Sequence, residues 1–421
     1  MDFFSIPFLI VKASWWIITP LILFSVAKKS YLYWKQKLYI DKLKCSLLEV
    51  RLPQEVFKTP KAMEYVLAGM HGVWDELNFR DIWVKGEVLP WFSLEIVGTE
   101  GAVHFYIYTQ TKLKEFVKEN VYAQYPDAEI EEVEDYTEKL PMNIPNKYWD
   151  LWGTDLKLMK ENPFPIRRYM EFEEIEEERR LDPIAQIAEV MNGLGRGEHM
   201  WIQTIIQPAT DMNQLKKEGD EVITRLMKRD MKKSPGMVGG GMKSMQGELG
   251  SFLSLMLGMP QGQTEEKQER MFPPEFMLSP GERDVVKAVE EKTSKLAYET
   301  MMRFLYIGRS DVFNKANIPA LFGFFRHFNT FNLNSLVPNS KTLPKKSFFA
   351  FKNTRGYFRK MRLFNWYKYR STLPGNISTP FLLNVEELAS LFHFPGQTVK
   401  APQMTRVLSK RPSPPPGLPI E

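Results

Sequence analysis

The chain has 421 residues, of which 43% are hydrophobic and 25% charged, with a formal net charge of +5. That length and apolar content give room for two or three folded domains and exclude a chain disordered throughout, while so small a charge says little about partners until its distribution is considered. A single cysteine, Cys45, excludes an internal disulfide and a cysteine-built metal site, as expected in a reducing compartment.

Residues 3–27 are almost wholly apolar, with Lys12 the one charge among them. About 20 apolar residues are enough to cross a bilayer. Trp15 and Trp16 suit interface depth, Lys12 can snorkel, and Pro20 is tolerated in a membrane helix. The basic residues Lys28, Lys29, Lys35 and Lys37 follow the run instead of preceding it, and no small-x-small cleavage site is evident. A retained single-pass anchor is therefore expected in place of a cleaved signal peptide, with the bulk of the chain on the cytoplasmic side of the cell membrane.

Alternation predicts strands at 46–52, 91–97, 103–108 and 128–133, and helical spacing predicts helices at 60–74 and 113–122. The resulting β-α-β-β-α-β order is the split βαβ, ferredoxin-like unit, over residues 46–138. A second αβ block is expected over 150–330. Strands are predicted at 155–159, 166–175, 200–206 and 300–307. Helices are predicted from Asp182-Pro183, where Asp is the N-cap and Pro the first helical residue, and at 212–231, 282–296 and 311–328. Between them, residues 232–270 are rich in Gly and Met without periodicity and read as a mobile insertion. The fold class is thus α+β, an N-terminal transmembrane helix followed by two ferredoxin-like units.

Residues 341–370 hold ten basic residues, no acidic ones and nine aromatics. Lys345, Lys346, Lys352, Arg355, Arg359, Lys360, Arg362, Lys368 and Arg370, with Trp366, are candidates for a polyanion. Three readings stay open. The cations could neutralise phosphates while aromatics stack on bases, they could hold anionic lipid headgroups, or the stretch could be a basic amphipathic helix packing its aromatics on its own protein. The last segment, 379–421, begins with an apolar strand end at Leu382-Leu383. Asn384 and Glu387 then form a capping box. Leu388, Leu391 and Phe392 share one helical face, Pro395 stops the helix, and a proline-rich tail follows through Pro419. These residues are expected to dock on a partner or on the second αβ unit.

Catalytic and cofactor motifs are weak. A P-loop needs G-x-x-x-x-G-K-[ST] after a strand. The nearest stretch, 236–244, displaces its lysine by one place and follows no strand. Gly193, Gly195 and Gly197 join a helix to a strand, the reverse of the order that aims a helix N-terminus at pyrophosphate. His71, His104, His199, His327 and His393 have no second ligand at helical or hairpin spacing. No catalytic residue, cofactor or metal is assigned.

Several strings together resemble a known family: LEVRLP at 48–53, SLEIV at 93–97, FYI at 105–107, VYAQYPDAEI at 121–130, DPIA at 182–185, GEHMWIQ at 197–203, FNLN at 331–334, LNVEELASLFHFP at 383–395 and PPGLP at 415–419. The chain resembles the membrane-anchored region ahead of the motor domain in bacterial type IV secretion coupling-protein-like and conjugation-type ATPases. The resemblance implies a non-catalytic scaffold that positions a DNA-translocating P-loop ATPase on a separate chain. It implies the membrane, DNA and further copies of the chain as additional contacts. The alternative is a stand-alone, membrane-tethered nucleic-acid-binding protein using residues 341–370.

Overall fold

A computed structural model of the protein describes residues 5–53, 58–73, 76–172, 182–231, 278–344, 352–370 and 380–395. The Gly/Met-rich stretch 232–270, Lys345, Lys346 and the proline-rich tail beyond 395 lie outside the described residues.

The protein is mixed α+β and is built on one nine-stranded antiparallel sheet. Residues 45–133 supply β1 (Cys45–Arg51), α2 (Pro60–Met70), β2 (Phe92–Thr99), β3 (Ala102–Gln110), α3 (Lys114–Gln124) and β4 (Glu129–Val133), after the long N-terminal α1 (Ser5–Ile40). Their strands lie in the order β4-β1-β3-β2. Residues 149–338 then supply β5 (Trp149–Leu158), α4 (Pro183–Asn192), β6 (Glu198–Pro208), α5 (Met212–Met231), α6 (Pro280–Thr293), β7 (Ala297–Arg309), α7 (Ile318–Arg326) and β8 (Leu336–Pro338). These strands lie in the order β6-β7-β5-β8, the first order read backwards. The two halves therefore meet through β2 and β6, paired from Phe92↔Ile206 to Thr99↔His199, as if related by an approximate two-fold axis between those strands. Each edge strand covers the other, and neither is left to pair with another chain.

Period-2 alternation sorts side chains between two sheet faces. One face, carrying Leu94, Ile96, Met200, Ile202, Tyr306 and Phe304, forms the main core with α2, α3, α4 and α7. Gly98 lets α4 come close, since a Cβ there would sit 2.7 Å from the Met191 side chain. Asp182 caps α4 by accepting from the Ile184 amide at 2.8 Å, with Pro183 at the first turn as its dipeptide predicts. The other face, carrying Val97, Trp201, Leu305 and Leu151, is covered by α8 (Lys352–Tyr369) through Leu363, Phe364 and Tyr367.

The C-terminal strand β9 (Phe381–Asn384) pairs with the first half of β7, beside β5, which takes the second half. Helix α9 (Val385–Leu391) follows it. The predicted capping box is present: the Glu387 amide donates to Asn384 Oδ1 at 2.8 Å, and Glu387 Oε2 accepts from the Asn384 amide at 2.9 Å.

Three expectations change. Of the strand expected at 166–175, residues 166–172 are described and form none; Tyr169–Glu171 is a single 3-10 turn whose Tyr169 amide donates to Ser390 Oγ, and the Ile166 amide before it donates to Glu387 of α9. The strand expected at 155–159 begins earlier, at Trp149, because its first half pairs with Arg309–Phe304 of β7. The apolar run expected to span a bilayer occupies the first part of α1, which continues unbroken to Ile40. Among the described residues no helix is long and apolar enough to cross a membrane; the side chains of residues 5–15 lie outside that description.

Candidate functional site

The face beneath α8 carries a row of polar side chains at one level of the sheet. Glu131, Glu49, Tyr106, Glu95, Gln203, Arg303 and Asp155 stand directly opposite one another, strand by strand, across β4-β1-β3-β2-β6-β7-β5. All but Glu131 are buried. Buried charge at this density is costly unless each group is paired, and around Glu95 the pairing is dense.

Glu95 is the hub. Its Oε1 accepts from Ser93 Oγ at 2.7 Å, Gln203 Nε2 at 2.9 Å and Arg370 Nε at 2.7 Å. Its Oε2 accepts from Tyr136 Oη at 2.8 Å and Arg370 Nη2 at 3.0 Å. Arg370, just past the end of α8, also donates Nη1 to Asp135 Oδ2 at 2.6 Å, and its guanidinium lies 4.4 Å from the centre of the Tyr108 ring. Its backbone sits in the left-handed region at φ 47°, where a non-glycine residue is held only by its surroundings. Burial would weaken the Arg370 charge, but Glu95 and Asp135 hold its pKa well above the ordinary arginine value. Burial pushes the Asp135 carboxyl up, and Arg370 more than reverses this, leaving it below the usual range. Further along the row, Arg303 Nε lies 3.2 Å from Asp155 Oδ1, both buried.

At its β1 end the row opens into a cleft of about 410 Å³. Tyr106, Tyr136 and Trp201 contribute aromatic surface, Glu49, Arg51, Glu134 and Lys139 supply charge, and His104 and His199 add imidazole rings. Glu49 joins His104 Nδ1 at 2.6 Å and Arg51 Nη2 at 2.5 Å. Burial raises the Glu49 carboxyl, and these two partners overcome that to hold it below the usual range. His199, stacked on Trp149, is neutral at physiological pH because burial lowers its pKa to about 4. No Ser or Cys is among the described residues lining the cleft, and no group of three His, Cys, Asp or Glu among the described residues could hold a metal ion.

The residues selected from the basic stretch divide sharply. Arg370, expected among surface cations, is wholly interior, because two carboxylates on the sheet receive it. Lys360 pairs with Asp150 at 2.6 Å, and Arg359 donates to the Leu343 carbonyl at 3.2 Å. Trp366 and Lys368 are half-buried. Arg355 and Arg362 face outward, the latter over the Trp366 ring at 5.8 Å. The side chain of Lys352 lies outside the described residues.

The residues expected to dock on a partner are also interior. Asn384, Glu387, Leu388, Leu391, Phe392 and Pro395 are buried against the protein's own sheet and α2. Glu387 forms a fully buried pair with Lys292 of α6 at 3.0 Å. Burial lowers the Lys292 pKa, and Glu387 only partly offsets this. Glu386 meets Arg168 at 3.2 Å and Lys295 at 3.2 Å. Segment 381–395 therefore fastens onto the first half, through ring contacts of Phe392 with Phe105 on β3 and of Phe394 with Tyr125 just past α3.

Sequence reasoning passed over Glu95, Gln203 and Arg303. Their signal was available as a Glu, a Gln and an Arg inside the mainly apolar runs FSLEIV, MWIQTII and MMRFLYI, since a charge or amide in a strand buried on both faces needs a buried partner. The histidine spacing likewise hid the His104–Glu49 pair, which is closed between neighbouring strands.

The family described as a domain of unknown function (DUF8128) matches residues 35–406, and the chain belongs to that family. No curated protein matches the chain.

Proposed function

We propose that this member of the DUF8128 family is a non-catalytic, membrane-tethered scaffold that positions a DNA-translocating P-loop ATPase carried on another polypeptide. The observation that carries the tether is the surface of α1. Leu21, Ile22, Leu23, Phe24 and Val26 are all exposed, and with 100° between successive residues they leave no polar face. A helix apolar all round is at home in a protein core or in lipid, and the described residues of the protein do not cover this one. The helix is roughly 54 Å long at 1.5 Å per residue, longer than the roughly 30 Å hydrocarbon layer.

The scaffold part of the reading rests on the two halves, β-α-β-β-α-β in the first and the same order with α5 and α6 inserted in the second, taken as ferredoxin-like units fused through β2 and β6, and on the sequence resemblance described above. No G-x-x-x-x-G-K-[ST] occurs within these residues. The test is purification of the full chain from its own membranes in mild detergent. A P-loop ATPase should co-purify, and removal of residues 409–421 should weaken the association without unfolding the body. Repeated recovery of the chain with no such ATPase contradicts the reading.

A second reading, single-stranded nucleic-acid binding, is favoured by the outer side of α8, where Arg362 is exposed beside Tyr357 and Phe358. It requires salt-sensitive DNA binding that Arg355→Gln with Arg362→Gln removes. Unchanged affinity in that variant excludes α8 as the contact.

A further inference from the structure

Beside α1 stands a short segment that leaves two large apolar side chains, Phe79 and Val84, exposed. Residues Phe79–Lys85 form a single wide helical turn, closed by Gly86 in the left-handed region at φ 75°. Gly86 is pressed on α1 so closely that a Cβ would lie 2.5 Å from the Lys35 carbonyl oxygen. From that contact the segment reaches along α1 toward its N-terminal half, where Lys28 Nζ sits 4.9 Å from the centre of the Trp83 ring. Lys35 to Lys28 is seven residues, roughly 10 Å of helix. Trp83 therefore stands level with the first lysine after the apolar run. Phe79 stacks on Trp83 at 5.8 Å yet is 76% exposed, and Val84 is 57% exposed. Lys28, its chain neighbour Lys29, and Arg80, the chain neighbour of Phe79, are all exposed. Below, Ile40, Leu43 and Val88 pack with Trp91, just before β2, and with Ile205 and Met301 of the sheet, so segment and helix root are fixed to the body as one piece.

We propose that Phe79–Lys85 is a second membrane contact, seated in the headgroup layer of an anionic leaflet beside the α1 span. This rests on the tether reading above. Phe79 and Val84 enter the acyl boundary, Trp83 lies at interface depth, and Lys28, Lys29 and Arg80 meet lipid phosphates. Aromatic residues with flanking cations are the composition that partitions to this layer. The exposed apolar surface of α1 leads directly to it, and the local cations complement an anionic bilayer. One helix can tilt and rotate freely in a membrane; a second contact beside it fixes the orientation of the sheet relative to the bilayer.

The test uses the full chain, with Cys45→Ala, in vesicles of phosphatidylcholine with and without phosphatidylglycerol. Spin labels are placed by Phe79→Cys, Val84→Cys, Leu23→Cys and, as an aqueous reference, Tyr148→Cys, a position 70% exposed. Collision with lipid-soluble oxygen is compared with collision with a water-soluble nickel chelate. Labels at 79 and 84 are expected to lose nickel collisions relative to 148 and to lose more when the anionic lipid is present. If 23 reports lipid while 79 and 84 match 148, the second contact is overturned and the tether stands. If 23 also matches 148, both are overturned.

Discussion

Helices α1 and α8 both mix lysines with large aromatics, yet their surroundings differ completely. From Leu21 to Val26, α1 exposes its apolar side chains on every side. Helix α8 presses Leu363, Phe364 and Tyr367 onto the sheet and ends in Arg370, whose charge is carried wholly inside the protein. The difference lies in what stands opposite each helix. Beneath α8, Glu95 and Asp135 are fixed by Ser93, Gln203, Tyr136 and Thr137, so a guanidinium arriving there replaces its lost water with preoriented acceptors. Along the apolar part of α1 the described protein offers no comparable surface. A basic, aromatic stretch is thus no guide to a polyanion site until the sheet beneath it is known.

The largest expected effect breaks the α8 side of this contrast. Arg370→Ala leaves Glu95 buried with its main cation gone, and should cost about 3–5 kcal/mol in denaturant unfolding. Pairing it with Glu95→Gln should recover part of the loss, because the neutral amide no longer requires a counter-charge. A loss under about 1 kcal/mol for Arg370→Ala, the scale of exposed ion pairs, would mean that Arg370 is solvated.

Acidification probes the same face through His199. Its folded pKa of about 4 lies below the ordinary 6.5, so between these values the unfolded chain binds more protons. Stability is complete above about pH 6.5 and falls as pH drops toward 4, by about 3 kcal/mol in total at 1.36 kcal/mol per pKa unit. The difference in unfolding free energy between the parent and His199→Gln, measured at pH 7 and pH 4.5, should shrink or reverse on acidification. A pH-independent difference would show His199 to be solvated.

Asn384→Ala removes the cap of α9 at a buried site and should cost about 1–2 kcal/mol. It should also expose β9 and α9 to faster amide exchange, since the cap fixes Glu387, which also holds Lys292 and the Ile166 amide. The smallest effects fall on α1. Leu23→Ser should change the unfolding free energy of the body by no more than about 0.5 kcal/mol, as for any side chain without protein contacts, while reducing retention in membranes. A larger destabilisation would mean that α1 packs on protein.

Alternation and helical spacing located β1, α2, β2, β3, α3 and β4, and the Asp182-Pro183 and Asn384–Glu387 caps were legible because they are local chemistry. Joining β2 to β6 was not legible. Strands 100 residues apart pair through backbone groups common to every residue, and either could have paired with another strand of like alternation. The burial of Arg370 was hidden for a related reason. A cation bound by Glu95, 275 residues away in sequence, has the same one-dimensional pattern as one facing water. The first half of β5 was missed because Trp149–Thr154 alternates poorly, its pleat being filled by Gly153 under Leu363.

The tether is the claim on which the rest depends, and washing native membranes with alkaline carbonate tests it most directly. The full chain should remain in the membrane pellet, and a chain lacking residues 1–27 should be released as a folded body. Release of the full chain under the same wash would contradict the account.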